Sequence, residues 1–303
     1  MRKALYLAIA ASLGAAPMAQ AQEAAVFKPS GGWTAEFGDD YCRLIRNFSD
    51  GKDEVSLALE RTHPGEVVRL IIVGEGIKPY GSAEEIELSL LPAGAPVKAR
   101  FYRSQTADGK QYLTFDPAPL APAAGPPPAA GGPPGPPIYD REKEKATAQG
   151  IAGFSLAAGL SAPARFETGA LKAPVEVMQT CADDLLEVWG LDPQKHRTMT
   201  AAPVPTPPSN GVLPQGTIPF TEFGKLSGGS NQVRLIIGAD GKPTSCTIYA
   251  PTLSKTLNDR ICSLAMERAS FQPAKDAGGA AMASFWMGSP MFLGPPFPSG
   301  RGR

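Results

Sequence analysis

The sequence predicts an α+β chain of two modules. The first is an antiparallel β-rich part, sandwich- or barrel-like, with one helix at its C-terminal end. The second is a small β-β-α-β unit. Three observations predict this. Short alternating runs between residues 26 and 116 are punctuated by Asp50-Gly51 and Asp108-Gly109, a hairpin signal because Gly accepts the positive φ of a tight primed turn. One stretch, 172–190, repeats its apolar residues at helical spacing. Strand, turn, strand, helix and strand then fit between 232 and 286.

In the first module Tyr41 to Phe48 runs into Asp50-Gly51, and Glu54 to Glu60 follows with Val55, Leu57 and Leu59 on one face. Val67 to Val73 is a continuous apolar run and reads as a central strand. Ile86 to Leu90 alternates again. Lys98–Tyr102 and Tyr112–Phe115 flank Asp108-Gly109 as a second hairpin. Strands at this spacing favour an antiparallel sandwich or barrel. Residues 117–137 hold only Pro, Gly, Ala and one Leu. Proline fixes φ and removes donors, so neither ladder nor helix runs through them, and a semi-extended polyproline loop is expected. A ligand for a proline-recognising domain is the functional alternative.

Over 172–190, Val175, Met178, Ala182, Leu185, Leu186 and Trp189 form one stripe, with Pro174 suited to the first turn and Gly190 to the C-terminal stop. Met178 and Trp189 read as core residues. Residues 196–215 carry prolines and Asn210-Gly211 without periodicity and read as a linker. The division is therefore 1–21, 22–195, 196–215 and 216–303.

Residues 1–21 have the layout of a secretory signal peptide. Arg2 and Lys3 precede the apolar Ala4–Leu13, Pro17 breaks the run, and Ala19-Gln20-Ala21 is a small-x-small cleavage site. An uncleaved anchor is the alternative. Cleavage removes two cations from a chain with 29 basic and 29 acidic side chains, leaving the remainder slightly acidic. The expected compartment is the periplasm, with no membrane span after cleavage. Nucleic acid is excluded as a general partner, since that affinity needs a basic excess. The four cysteines, in an oxidising space, invite two disulfides. Three pairings are open; position favours Cys42–Cys181 and Cys246–Cys262, each within one module.

In the C-terminal module Gln232–Gly238 reads as a strand, Asp240-Gly241-Lys242-Pro243 as a turn and Thr244–Tyr249 as the return strand. Thr256 and Asp259 offer a capping box. The helix that follows carries Leu257, Ile261, Leu264 and Ala265 on one stripe. Phe271-Gln272-Pro273-Ala274 and Gly278-Gly279 precede a last strand over 283–286. Asp-Gly-Lys occurs three times, at 50–52, 108–110 and 240–242, with unlike flanks, so shared turn chemistry explains it better than an internal repeat.

These pieces resemble the C-terminal domain of TonB-type energy transducers. The resemblance covers about residues 216–290. It is carried by Asp240-Gly241-Lys242, Leu257-Asn258 where the family has Leu-Asp, and Phe271-Gln272-Pro273-Ala274 before a glycine turn. Phe220 stands alone where the family carries a Tyr-Pro pair. The resemblance implies a Gram-negative envelope, transmembrane transport, and a sheet-plus-helix module holding an extended peptide of an outer-membrane receptor. From the residues themselves, a three-strand sheet under one helix leaves an edge to which an extended peptide can add. Met282, Ser284, Phe285 and Trp286 are the expected edge residues, with Ser284 and Trp286 on one face and Ala283 and Phe285 on the other. A capped edge with no ligand is the alternative.

No catalytic, metal or cofactor site is expected. No G-x-S-x-G elbow or phosphate loop occurs, and Asp50, Asp108 and Asp240 are followed by Gly-Lys rather than preceding a Thr/Ser-Gly. Asp39-Asp40 and Asp183-Asp184 are adjacent acids whose side chains diverge, the second pair reading as a solvated helix face. Of the two histidines, His63 opens a Pro64-Gly65 turn without a ligand-spaced partner. The leading expectation is a non-enzymatic periplasmic peptide-binding protein. An envelope structural or assembly protein and a hydrolase in the first module are the rivals.

Overall fold

The computed structural model describes residues 23–116, 118–120, 138–206, 233–249 and 255–288. The expected signal peptide, nearly all of the proline-rich loop and residues 207–215 of the expected linker lie outside them.

The first module is a β-barrel with helices. Its strands are β1 (Ala25–Pro29), β2 (Thr34–Phe37), β3 (Cys42–Ser49), β4 (Glu54–Arg61), β5 (Val67–Val73), β6 (Glu85–Leu91), β7 (Val97–Gln105), β8 (Gln111–Phe115), β9 (Ala118–Pro119), β10 (Gly153–Leu156) and β11 (Ala164–Glu167). Nine of them close a ring in the order β1-β11-β10-β6-β7-β8-β5-β4-β3, with β3 returning to β1. All these neighbours are antiparallel except β1 and β11. Closure leaves no open edge in the ring, the usual liability of a sheet. β1 and β2 follow the same edge of β3, Lys28 opposite Ser49 and Thr34 opposite Ile45, with Gly31-Gly32 at the break.

Period-two alternation fills the interior. Leu44 and Phe48, Val55, Leu57 and Leu59, Leu70 and Ile72, Leu113 and Phe115 all point inward and are buried. Phe166 stacks on Phe27 with centroids 5.0 Å apart and meets Phe48 edge-on at 5.6 Å. Outward positions of β7 carry Lys98, Arg100 and Tyr102.

The Asp-Gly turns are longer than expected. Ser49 pairs with Glu54 and Gln105 with Gln111, so the loops hold more than two residues. A two-residue type I′ turn needs positive φ at both central positions. Here only the glycines have it, at +90° for Gly51 and +83° for Gly109.

Helix α1 (Arg141–Gly150) and helix α2 (Lys172–Val188) pack together beside the barrel. The predicted α2 stripe is buried at Val175, Met178, Ala182, Leu185 and Leu186. Its end is a Schellman turn: Gly190, at φ +75°, donates to the Glu187 carbonyl and Leu191 to that of Leu186. Asp192 then caps α3 (Pro193–Arg197), accepting from the Gln194 and Lys195 amides. The Cys42–Cys181 disulfide ties α2 to β3. Asp183 is not on a solvated face as expected. Its side chain lies between Arg141 at 2.6 Å and Arg197 at 2.5 Å.

The second module is a three-stranded antiparallel sheet in the order β14 (Pro243–Ile248), β13 (Val233–Ile237), β18 (Ser284–Gly288), with α4 (Lys255–Arg268) on one face. Val233, Leu235 and Ile237 bury against Leu257, Ile261 and Ala265, and Cys246–Cys262 ties β14 to α4. The helix begins at Lys255, ahead of the expected cap Thr256, which lies within its first turn. Two short ladders complete the unit. β12 (Val204–Pro205) pairs with β15 (Phe271–Gln272), and β16 (Ala274–Lys275) pairs with β17 (Ala281–Met282). The expected linker 196–215 is therefore not a spacer at its start. Residues 196–206 complete α3, bridge Ala201 to Lys275 and add β12 to the second module.

Candidate functional site

The two modules meet along a seam built by the alternation of β13 and β18. On β13 the residues that face α4, Val233, Leu235 and Ile237, are apolar, and the opposite face of the sheet turns to the barrel module. Arg234, 8% exposed, turns that way. It donates to Asp40 at 2.7 Å and to Thr247 at 3.3 Å, and its guanidinium lies 4.1 Å from the Trp189 ring centroid. Phe285 turns to the same side and meets Trp189 at 5.3 Å, His196 at 6.1 Å and His63 at 6.2 Å between centroids. The chain's two histidines, far apart in sequence, converge on one phenyl ring. The Schellman turn at Gly190 brings this about, folding α3 back so that His196 reaches β18.

The hydrogen bonds fix the His196 tautomer. Nδ1 lies 2.8 Å from the Asp192 carbonyl oxygen, an acceptor only, so Nδ1 carries the proton. Nε2 is then the acceptor for the Ser284 hydroxyl at 3.1 Å. Burial lowers the His196 pKa against the opposing pull of Asp192. Burial lowers His63 to about 4, with the Arg61 and Arg69 cations acting in the same direction.

Beside the seam, β18 is a sheet edge: among the described residues its only ladder is to β13. That edge borders a cleft of about 410 Å³, walled by Ser284–Met287 on one side, His63–Val67 on another, and Tyr139, Met199, Ala202 and Pro203. The lining is mainly aromatic, methionine and proline, and Glu66 is its only carboxylate among the described residues.

The expected edge residues separate. Phe285 and Trp286 lie in β18 on opposite faces: Trp286 packs toward α4 against Phe271, centroids 6.0 Å apart, and Phe285 packs into the seam. Ser284, 1% exposed, is held by His196. Met282 is not in the same strand. The expected continuous edge 280–287 breaks at Ala283, and Met282 pairs with Ala274 in the neighbouring ladder. Sequence reasoning missed Trp189, Asp40, His63 and His196 as one cluster. Trp189 falls on the helical stripe and reads as core, although its indole N–H reaches the Asp39 carbonyl and its ring faces the other module.

A buried polar network lies behind the cleft. Arg61, 1% exposed, pairs with Glu144 of α1 and donates to Tyr139 at 3.2 Å. Tyr139 donates to Glu144, which also accepts from Gln179 at 3.0 Å. Burial pushes the Tyr139 phenol up, opposed by Arg61 and reinforced by Glu144. A second depression, of about 700 Å³, is lined by Tyr139, Arg141, Lys145, Gln179 and Arg197 among others. Its cations already face carboxylates: Arg141 and Arg197 face Asp183, and Lys145 faces Glu142. Among the described residues no cluster of His, Cys, Asp and Glu could hold a metal ion, and no helix is long and apolar enough to cross a membrane.

No protein-family model, no curated protein and no solved structure matches this chain. The likeness to TonB-type domains rests on the residues between 232 and 279 alone.

Proposed function

We propose that this is a non-enzymatic protein of the periplasm whose C-terminal module binds an extended peptide by strand addition to β18. The edge opening into the apolar cleft is the observation that supports the reading. An unpaired strand offers a row of amides and carbonyls to a partner backbone, while pockets beside it select alternate side chains. The walls select for apolar and aromatic side chains. Glu66, the only carboxylate lining the cleft among the described residues, selects for a lysine or arginine on the peptide, because a carboxylate at the lip of an apolar cleft is stabilised by an incoming cation. An outer-membrane receptor's N-terminal segment of that composition is the partner the TonB resemblance implies.

The test uses the full chain without residues 1–21 and an immobilised synthetic receptor segment of apolar residues with one arginine. Retention is expected. It should be lost when alternate peptide amides are N-methylated, which removes backbone donors and leaves the protein untouched, and it should be weakened by Glu66→Lys. Retention that ignores N-methylation rules out strand addition.

One observation favours the second reading, an envelope structural role. The sheet face opposite α4 is covered by the chain's own barrel module through Arg234 and Phe285. A module used only as a stabilising fold would show no retention of any such peptide.

A further inference from the structure

We propose that the seam is an acid-operated latch: protonation of His63 and His196 releases β18 from the barrel module and so takes apart the cleft. The control of peptide binding rests on the strand-addition reading; the latch itself does not.

Both histidines are set where a proton is unwelcome. Around His63 the cations are Arg61 on β4 and Arg69 on β5, and their carboxylates are already engaged. Arg61 is paired with Glu144, and Arg69 shares Glu60 with Arg43 at 3.0 Å and 2.5 Å respectively. Glu66 on the same loop lines the cleft beside it, and Thr62 lies 3.3 Å from its Nδ1. Tyr249 of the second module faces Arg69 and Arg234, its phenol raised by burial and therefore neutral. A protonated His63 adds a positive charge to this group while pressed against Phe285.

At His196 the obstacle is donor count. Asp192 takes the Nδ1 proton through its carbonyl, and its carboxylate is occupied as the α3 cap. Protonated His196 has two donors, so Ser284 can no longer donate to Nε2. Its hydroxyl must turn toward Met199 Sδ, 3.9 Å away, a weak acceptor. Lys195 and Arg197, its neighbours on α3, add positive charge; Arg197 is neutralised by Asp183 at 2.5 Å. On the facing sheet Arg234 is neutralised by Asp40.

The lowered pKa of each histidine agrees with this geometry. A histidine whose pKa is lowered by docking stabilises the docked state fully above the ordinary value of 6.5, and that contribution fades as pH falls below it, for His63 toward about 4. Because β18 supplies one wall of the cleft and His63 another, undocking separates both walls.

Amide hydrogen exchange of the full chain without residues 1–21 tests this at about pH 7 and about pH 4.5, either side of the ordinary histidine range. After correction for intrinsic rates, β18 and α3 should lose about tenfold or more of their protection at the acid pH, while β5 keeps its own. A His63→Phe, His196→Gln variant should show no such loss. Unchanged β18 protection, equal loss in β5, or loss persisting in the variant would each overturn the latch. If the variant does not fold, the two histidine ring signals of the unaltered protein decide by NMR: both must titrate below 6.5, and a midpoint at or above it overturns the proposal. Peptide retention at both pH values separates the two readings. A seam that opens in acid with no peptide bound at either pH refutes strand addition and leaves the latch. Equal retention at both pH values with an opened seam refutes control of the cleft.

Discussion

Arg234 lies over Trp189, 4.1 Å from guanidinium carbon to ring centroid, and joins two modules that the sequence separates by more than a linker. The stacking is largely shielded from water, where a cation–π contact contributes up to about 2 kcal/mol. The accompanying Asp40 pair is half exposed on the aspartate side, so solvent screening holds its share below about 1 kcal/mol. Arg234→Met is expected to weaken docking by about 1–3 kcal/mol. The measurement is urea unfolding followed by tryptophan fluorescence, in which a single transition should split in two. Arg234→Lys should not restore it, because an ammonium cannot stack and reach Asp40 and Thr247 together. A single unshifted transition in Arg234→Met would show that the contact contributes nothing.

The Arg61–Glu144 pair joins β4 to α1 with both side chains buried. Removing one partner strands a charge in the interior and costs about 3–5 kcal/mol, whereas replacing both by apolar groups is often close to neutral. Arg61→Met should therefore lower the urea midpoint of the barrel module strongly, and Arg61→Met with Glu144→Leu should recover part of that loss. Recovery is incomplete because Tyr139 and Gln179 also donate to Glu144 and lose their acceptor. If the double variant is as unstable as the sum of its parts, the pair is not coupled.

Much of the barrel was legible because alternation is the same signal in sequence and structure: Val55, Leu57 and Leu59 face one way in both. The α2 stripe and the β13–β14–α4–β18 order were legible for the same reason. What period cannot show is contact between distant segments. Helix α1 buries only Glu144 and Ala148, so it has no stripe to read; an Asp140 cap and ion pairs hold it. β10 and β11 are short and are completed by partners far along the chain. His63 and His196 look solitary, and only the Gly190 turn and ring closure bring them to Phe285. Trp189 satisfies the helical period at its last position and so concealed a role outside the core.

The three Asp-Gly-Lys turns are alike in sequence and unlike in surroundings. Gly51, Gly109 and Gly241 all have positive φ, and a Cβ at Gly51 or Gly109 would meet nothing within 4 Å. A Cβ at Gly241 would lie 2.1 Å from the Phe271 carbonyl oxygen. Alanine at the first two positions incurs only the left-handed backbone term, about 1–2 kcal/mol. At Gly241 it must also displace the Phe271 strand, whose amide donates to the Gly241 carbonyl. Gly241→Ala should therefore unfold or loosen the second module, seen as loss of amide protection in β13 and β15. Gly51→Ala and Gly109→Ala should leave that module unchanged. Equal effects of all three would mean that backbone φ alone decides.

The two disulfides close loops of very different length, with sequence separations of 139 and 16. Constraint of the unfolded chain then stabilises by about 5 kcal/mol for Cys42–Cys181 and about 3 kcal/mol for Cys246–Cys262. The bridges also act on different bodies, one on the barrel with α2 and the other on the small sheet with α4. Cys42→Ser with Cys181→Ser should lower the guanidinium midpoint of the barrel. Cys246→Ser with Cys262→Ser should lower only that of the second module and expose it selectively to protease. The small sheet depends on its bridge the more heavily despite the smaller figure, since its core is short: β13 supplies Val233, Leu235 and Ile237, and α4 only Leu257, Ile261 and Ala265. A domain with so little apolar surface needs covalent help to stay folded. Retention of full protease resistance in the second module after removal of Cys246 and Cys262 would show that docking against the barrel, rather than the bridge, keeps it folded.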